Sequence, residues 1–83
     1  MLKIHYFASV REQLECSGEE LALPDGVESV AQLAGTLAAR GEPWSMLQDS
    51  QQVLVAVNQQ VADFTHVLRG DEEVAFFPPM TGG

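Results

Sequence analysis

The chain has 83 residues, 46% hydrophobic and 19% charged, with twelve Asp and Glu against four Lys and Arg for a net charge of −8. That length sets one domain with a modest core, and the apolar fraction marks a folded chain, not a disordered one. Lys3, Arg11, Arg40 and Arg69 are scattered and form no basic stripe, which disfavours nucleic acid and anionic membrane and favours a partner with a positive face.

Residues 2–8, "LKIHYFA", alternate Leu2, Ile4, Tyr6 and Ala8 with Lys3, His5 and Phe7. Period two predicts a strand with one buried face. Ser9 and Glu12 make a capping-box pattern, with Val10 and Leu14 one helical turn apart, so a short helix follows and Gly18 is expected to break it. "ELAL" at 20–23 reads as a strand antiparallel to the first, closed by the turn "PDG".

The clearest helix is 29–40, "SVAQLAGTLAAR". Ser29 is its expected N-cap with Gln32 completing the box, Val30, Leu33, Ala34, Leu37 and Ala38 form its apolar stripe, and Gly41 closes it. "EPWSML" predicts one further helical turn with Trp44 and Leu47 packing inward. "QVLVAVN" at 52–58 is apolar at consecutive positions, a strand with either both faces buried or one buried face and one contact face. Asn58-Gln59 is a turn signal, "QVA" a return strand, and "EVAFF" at 73–77 a last strand that Pro78 ends. The order predicts an α+β fold, a mixed sheet with one main helix packed on one face.

No stretch reaches the roughly 20 apolar residues of a membrane helix, and the N-terminal segment lacks the apolar run of a signal sequence. With one cysteine, Cys16, no disulfide pair exists within the chain. A cytoplasmic location is the expectation. His5, His66 and Cys16 share no metal-ligand spacing, so no metal site is expected. Asp71-Glu72-Glu73 reads as a solvated acidic turn or a docking patch for a basic activator.

The sequence closes with "FFPPMTGG", residues 76–83. Pro78 and Pro79 hold φ near −65° and aim the arm away from the sheet. Extended, residues 79–83 reach about 17 Å. Gly82 and Gly83 have no side chains to block a narrow slot, and the arm ends in a carboxylate. Such a group becomes reactive when activated as an acyl-adenylate and converted to a thiocarboxylate. The chain divides on this reading into a domain at 1–78 and a tail at 79–83.

"FFPPMTGG", together with "HYFASVRE" at 5–12 and "VAVNQQ" at 55–60, resembles the small, sulfur-carrying subunits of molybdopterin synthases, a β-grasp (ubiquitin-like) family. The matching positions in the second segment are Tyr6, Phe7, Ala8, Val10, Arg11 and Glu12, and the likeness spans essentially the whole chain. The resemblance implies that Gly83 is adenylated by an ATP-dependent enzyme of the ubiquitin-activating type and then carries sulfur as a thiocarboxylate. It implies delivery of that sulfur to cyclic pyranopterin monophosphate inside a large subunit, in a heterotetramer of two small and two large chains. The carrier itself is then a non-catalytic sulfur donor with no bound cofactor. Pro78, Pro79, Met80 and Thr81 position the tail, and Phe7, Val61, Phe76 and Phe77 are the candidate partner face, with Phe77 the one of the last pair expected to point outward. The family often has "DGDE" where this chain has "RGDEE" at 69–73, and Met80 replaces a smaller branched residue. The alternatives are a sulfur carrier for thiamine thiazole synthesis and a ubiquitin-like protein modifier.

Overall fold

The computed structural model describes residues 1–79. Its strands are β1 (Leu2–Tyr6), β2 (Gly18–Leu21), β3 (Leu54–Val57), β4 (Gln60–Ala62) and β5 (Glu73–Phe77). Its helices are α1 (Ala8–Leu14) and α2 (Val30–Ala38), with a 3-10 turn at Trp44–Gln48. The sheet order is β2-β1-β5-β3-β4. The central pair β1–β5 is parallel, from Lys3 opposite Glu73 to Tyr6 opposite Phe76, and the other pairings are antiparallel. This is the expected β-grasp arrangement.

Period two places the core. Leu2, Ile4 and Tyr6 of β1, Val55 and Val57 of β3, and Val74 and Phe76 of β5 are all buried on one face of the sheet. Helix α2 closes that face with Val30, Leu33, Ala34 and Leu37, spaced at helical repeat, and Leu47 of the 3-10 turn joins them. The hydroxyl of Ser29 accepts from the Gln32 amide at 3.3 Å, so the predicted N-cap forms. The Gln32 side chain reaches back one residue further than a standard box, accepting from the Glu28 amide at 2.5 Å.

Boundaries differ from expectation at α1 and at β2, which runs Gly18–Leu21 where a strand over 20–23 was expected. Helix α1 begins after Phe7, whose extended backbone is the N-cap position, and no side chain caps it. The Ser9 box therefore does not form: Ser9 already lies inside the helix, because the chain turns directly off the end of β1. The helix ends at Glu15 in the left-handed region (φ 53°), so Gly18 is not its breaker. Gly18 instead starts β2, where a Cβ would meet the Ile4 carbonyl oxygen at 2.6 Å. Glycine is what lets β2 approach β1 this closely.

Candidate functional site

With Ile4, Tyr6, Val74 and Phe76 turned to the core, the pleat turns His5, Phe7, Glu73, Ala75 and Phe77 to the opposite, helix-free face. Ala56 faces the same way, and Val61 of β4 lies directly opposite it. Phe7 is 48% exposed and Val61 75% exposed, which is unusual for large apolar side chains. The strand at 54–57 thus has one buried face and one partly exposed face, and is not buried on both.

Phe77 is half-buried on this outer face, as expected. Phe76 is not part of it. Its side chain is fully buried, stacked on Tyr6 with ring centroids 6.0 Å apart. Adjacent strand residues cannot both face outward, so the register that exposes Phe77 commits Phe76 to the core. Just past the end of β1 the Phe7 amide still donates to the Phe76 carbonyl of β5 at 3.1 Å, and Pro78 then ends the ladder. Pro78 and Pro79 are half-buried at that edge. Met80, Thr81, Gly82 and Gly83 lie outside the described residues.

The outer face encloses a shallow hollow of about 370 Å³. Phe7, Ala56, Ala75 and Phe77 form its apolar part; His5, Gln59 and Glu73 form its polar end. The Glu73 carboxylate accepts from Gln59 Nε2 at 3.3 Å and pairs with His5 Nε2 at 3.0 Å. The Glu73 amide donates to Asn58 Oδ1 at 3.0 Å. The Gln59 amide, then the His5 ring, hold the Glu73 carboxyl below its ordinary value, so it is ionised near neutrality. His5 also stacks on Phe7, with centroids 6.1 Å apart.

Asn58 and Gln59 both have positive φ, 51° and 68°, the geometry of a tight hairpin turn in which glycine usually takes the second place. A non-glycine residue there costs about 1 kcal/mol. Gln59 returns a contact that glycine could not make, its hydrogen bond to Glu73. The polar end of the hollow was not anticipated from the sequence, although Gln59 stood in a singled-out segment and His5 and Glu73 follow from the alternation of β1 and β5.

The acidic run at 71–73 divides. Glu73 faces the hollow, but Glu72 is buried, which corrects its reading as a solvated residue. Its carboxylate accepts from the backbone amides of Arg69 (2.8 Å), Gly70 (2.9 Å) and Asp71 (3.2 Å). It organises the turn into β5. Cys16 donates its thiol to the Gly18 carbonyl at 3.5 Å. Among the described residues no group of three His, Cys, Asp or Glu is placed to hold a metal, and no helix is long and apolar enough to cross a membrane.

Comparison with known proteins gives consistent findings. The ThiS family pattern matches residues 4–83. The chain is 39% identical over 83 residues to the molybdopterin synthase sulfur carrier subunit of Escherichia coli, covering all of both chains. Among solved structures it is similar to a molybdopterin converting factor, subunit 1, from Pyrococcus furiosus. That similarity has a TM-score of 0.74 and 26% identity, over 95% of this chain and 97% of that one. The small archaeal modifier protein 1 of H. volcanii has the same fold, with a TM-score of 0.73 at 20% identity, over 95% of this chain and 97% of that one.

Proposed function

From its membership of the ThiS family, to which this chain belongs, we propose that it is the sulfur-carrier subunit of a molybdopterin synthase. The Gly83 carboxylate attacks the α-phosphorus of ATP on an activating enzyme of the ubiquitin-activating type, releasing pyrophosphate and becoming an acyl-adenylate. The terminal sulfur of a protein persulfide attacks the acyl carbon and expels AMP, giving an acyl disulfide; a thiol then reduces its S–S bond, forming a disulfide with the donor sulfur and leaving Gly83 as a thiocarboxylate. The tail, with Gly82 offering no side chain and Pro78 and Pro79 directing its course, enters a large subunit. There its sulfur bonds to cyclic pyranopterin monophosphate and water cleaves the acyl C–S bond, returning Gly83 as a carboxylate; two such deliveries build the dithiolene of molybdopterin. The large subunit supplies the side-chain chemistry, in a complex of two small and two large chains.

The observation that supports this reading best is the exposed apolar face around Phe7, Val61 and Phe77. It adjoins the end of β5, the strand that leads directly into "PPMTGG". A partner seated there is beside the root of the tail, so docking and tail delivery use adjoining surfaces.

Expression beside the activating enzyme, followed by intact mass spectrometry, is expected to show a fraction heavier by one oxygen-to-sulfur exchange at the C-terminus. Removal of Gly83 is expected to abolish both that species and conversion of the precursor by the reconstituted synthase. Full synthase activity without Gly83 would overturn the proposal. A thiocarboxylate that forms but is not used by the large subunit would redirect the reading to thiazole synthesis or protein modification.

A further inference from the structure

The hollow on the outer face is two-ended. Phe7, Ala56, Ala75 and Phe77 offer an apolar channel, and the Glu73 carboxylate stands at its end. No Lys or Arg lines it. Lys3 lies across the β1–β5 ladder from Glu73 and across the β1–β2 ladder from Glu20; it is not part of the lining, and its charge is the smallest of the influences on the Glu73 carboxyl. The titratable side chain that does line the hollow beside Glu73 is His5.

Glu73 is held in place before any partner arrives. Its backbone is in the central strand, its two carboxylate oxygens are each oriented by one neighbour, and its amide is tied to Asn58. A carboxylate accepts more hydrogen bonds than these two, so acceptor capacity remains on the side facing the hollow. An apolar occupant would strip water from this group and return nothing, which is costly, and an acidic occupant would be repelled. A side chain with an aliphatic stem and a cationic tip matches both ends, since such stems pack along apolar surface while their heads seek a charge or water. The net charge of −8 draws such a group toward the surface.

We propose that the hollow receives one basic side chain of the large subunit, its stem against Phe7, Ala75 and Phe77 and its cation on Glu73. This rests on the reading of the outer face as the docking surface for that subunit. On this assignment Gln59 and His5 are positioning residues: they hold the carboxylate toward the incoming cation.

The test is a calorimetric titration of the purified large subunit with the full chain as wild type, Glu73→Gln and Phe77→Ala, at low and at high salt. Glu73→Gln keeps the size of the side chain and its ability to accept from Gln59, and circular dichroism checks that the fold is retained. It is expected to weaken binding about tenfold at low salt, with the gap narrowing at high salt as the charge interaction is screened. Phe77→Ala is expected to weaken binding at both salt concentrations. Wild-type affinity in Glu73→Gln alongside loss in Phe77→Ala would overturn the basic-side-chain assignment and leave the docking surface intact. Absence of binding by the wild type would overturn the docking reading and this assignment with it.

Discussion

At Glu72 a carboxylate leaves water and receives three amide protons in exchange. Burial alone would raise its carboxyl, but the amides of Gly70, Arg69 and Asp71 outweigh that and hold it below the ordinary value of 4.5. The folded-state value therefore lies below the unfolded one. The stabilisation is present above the unfolded value and is lost as pH falls through the folded one. Glu72→Gln is expected to lower unfolding stability at neutral pH by about 1–3 kcal/mol. In urea titrations the difference from wild type should shrink as the solution is acidified below 4.5. A difference that grew on acidification would contradict this account of the turn. In the sequence Glu72 is indistinguishable from its acidic neighbours, because its role depends on where the preceding turn points its amides.

Between elements, Arg40 joins three parts of the fold. It makes two hydrogen bonds to Glu19 of β2, at 2.9 and 2.8 Å, and lies 4.5 Å from the ring centre of Trp44 in the 3-10 turn. Glu19 in turn accepts from the Tyr6 hydroxyl of β1 at 2.9 Å. The Arg40 guanidinium is the main reason the Glu19 carboxyl is held low; burial, and then the Glu19 acceptor, push the Tyr6 hydroxyl up. Arg40→Ala removes a paired, stacked cation and is expected to cost about 1–2 kcal/mol, discounted for the partial exposure of the pair. Thermal melts should show only part of this loss being reproduced by high salt, because the packing against Trp44 is not screened. The elements themselves were legible: alternation identified β1, Pro78 marked the end of β5, the Ser29 cap identified the start of α2, and Asn58-Gln59 identified the hairpin. The start of α1 was not, because Ser9 carries a cap signal that the turn out of β1 overrides. The Arg40–Glu19 pair was not legible either, since its members are 21 positions apart and meet only once the fold exists.

For the whole molecule, the two faces of the sheet differ in burial, and adjacent residues report the difference. Phe76→Ala opens a cavity under Tyr6 and is expected to cost about 3–5 kcal/mol of stability. Phe77→Ala removes outer-face surface and is expected to cost about 1 kcal/mol or less. Denaturant titration separates the two, and comparable losses would contradict the two-faced description. The sequence narrowed the outward residue to this pair but could not derive the register, which depends on how β5 meets β1 and β3 together. The central position of β5 has a mechanical consequence. A pull on the polypeptide beyond Phe77 runs along the strand axis, so it shears the ladders to β1 and β3 instead of peeling them one bond at a time. Strands strained in shear resist as a unit, so tension applied beyond Phe77 is borne by both ladders together and not by one bond at a time.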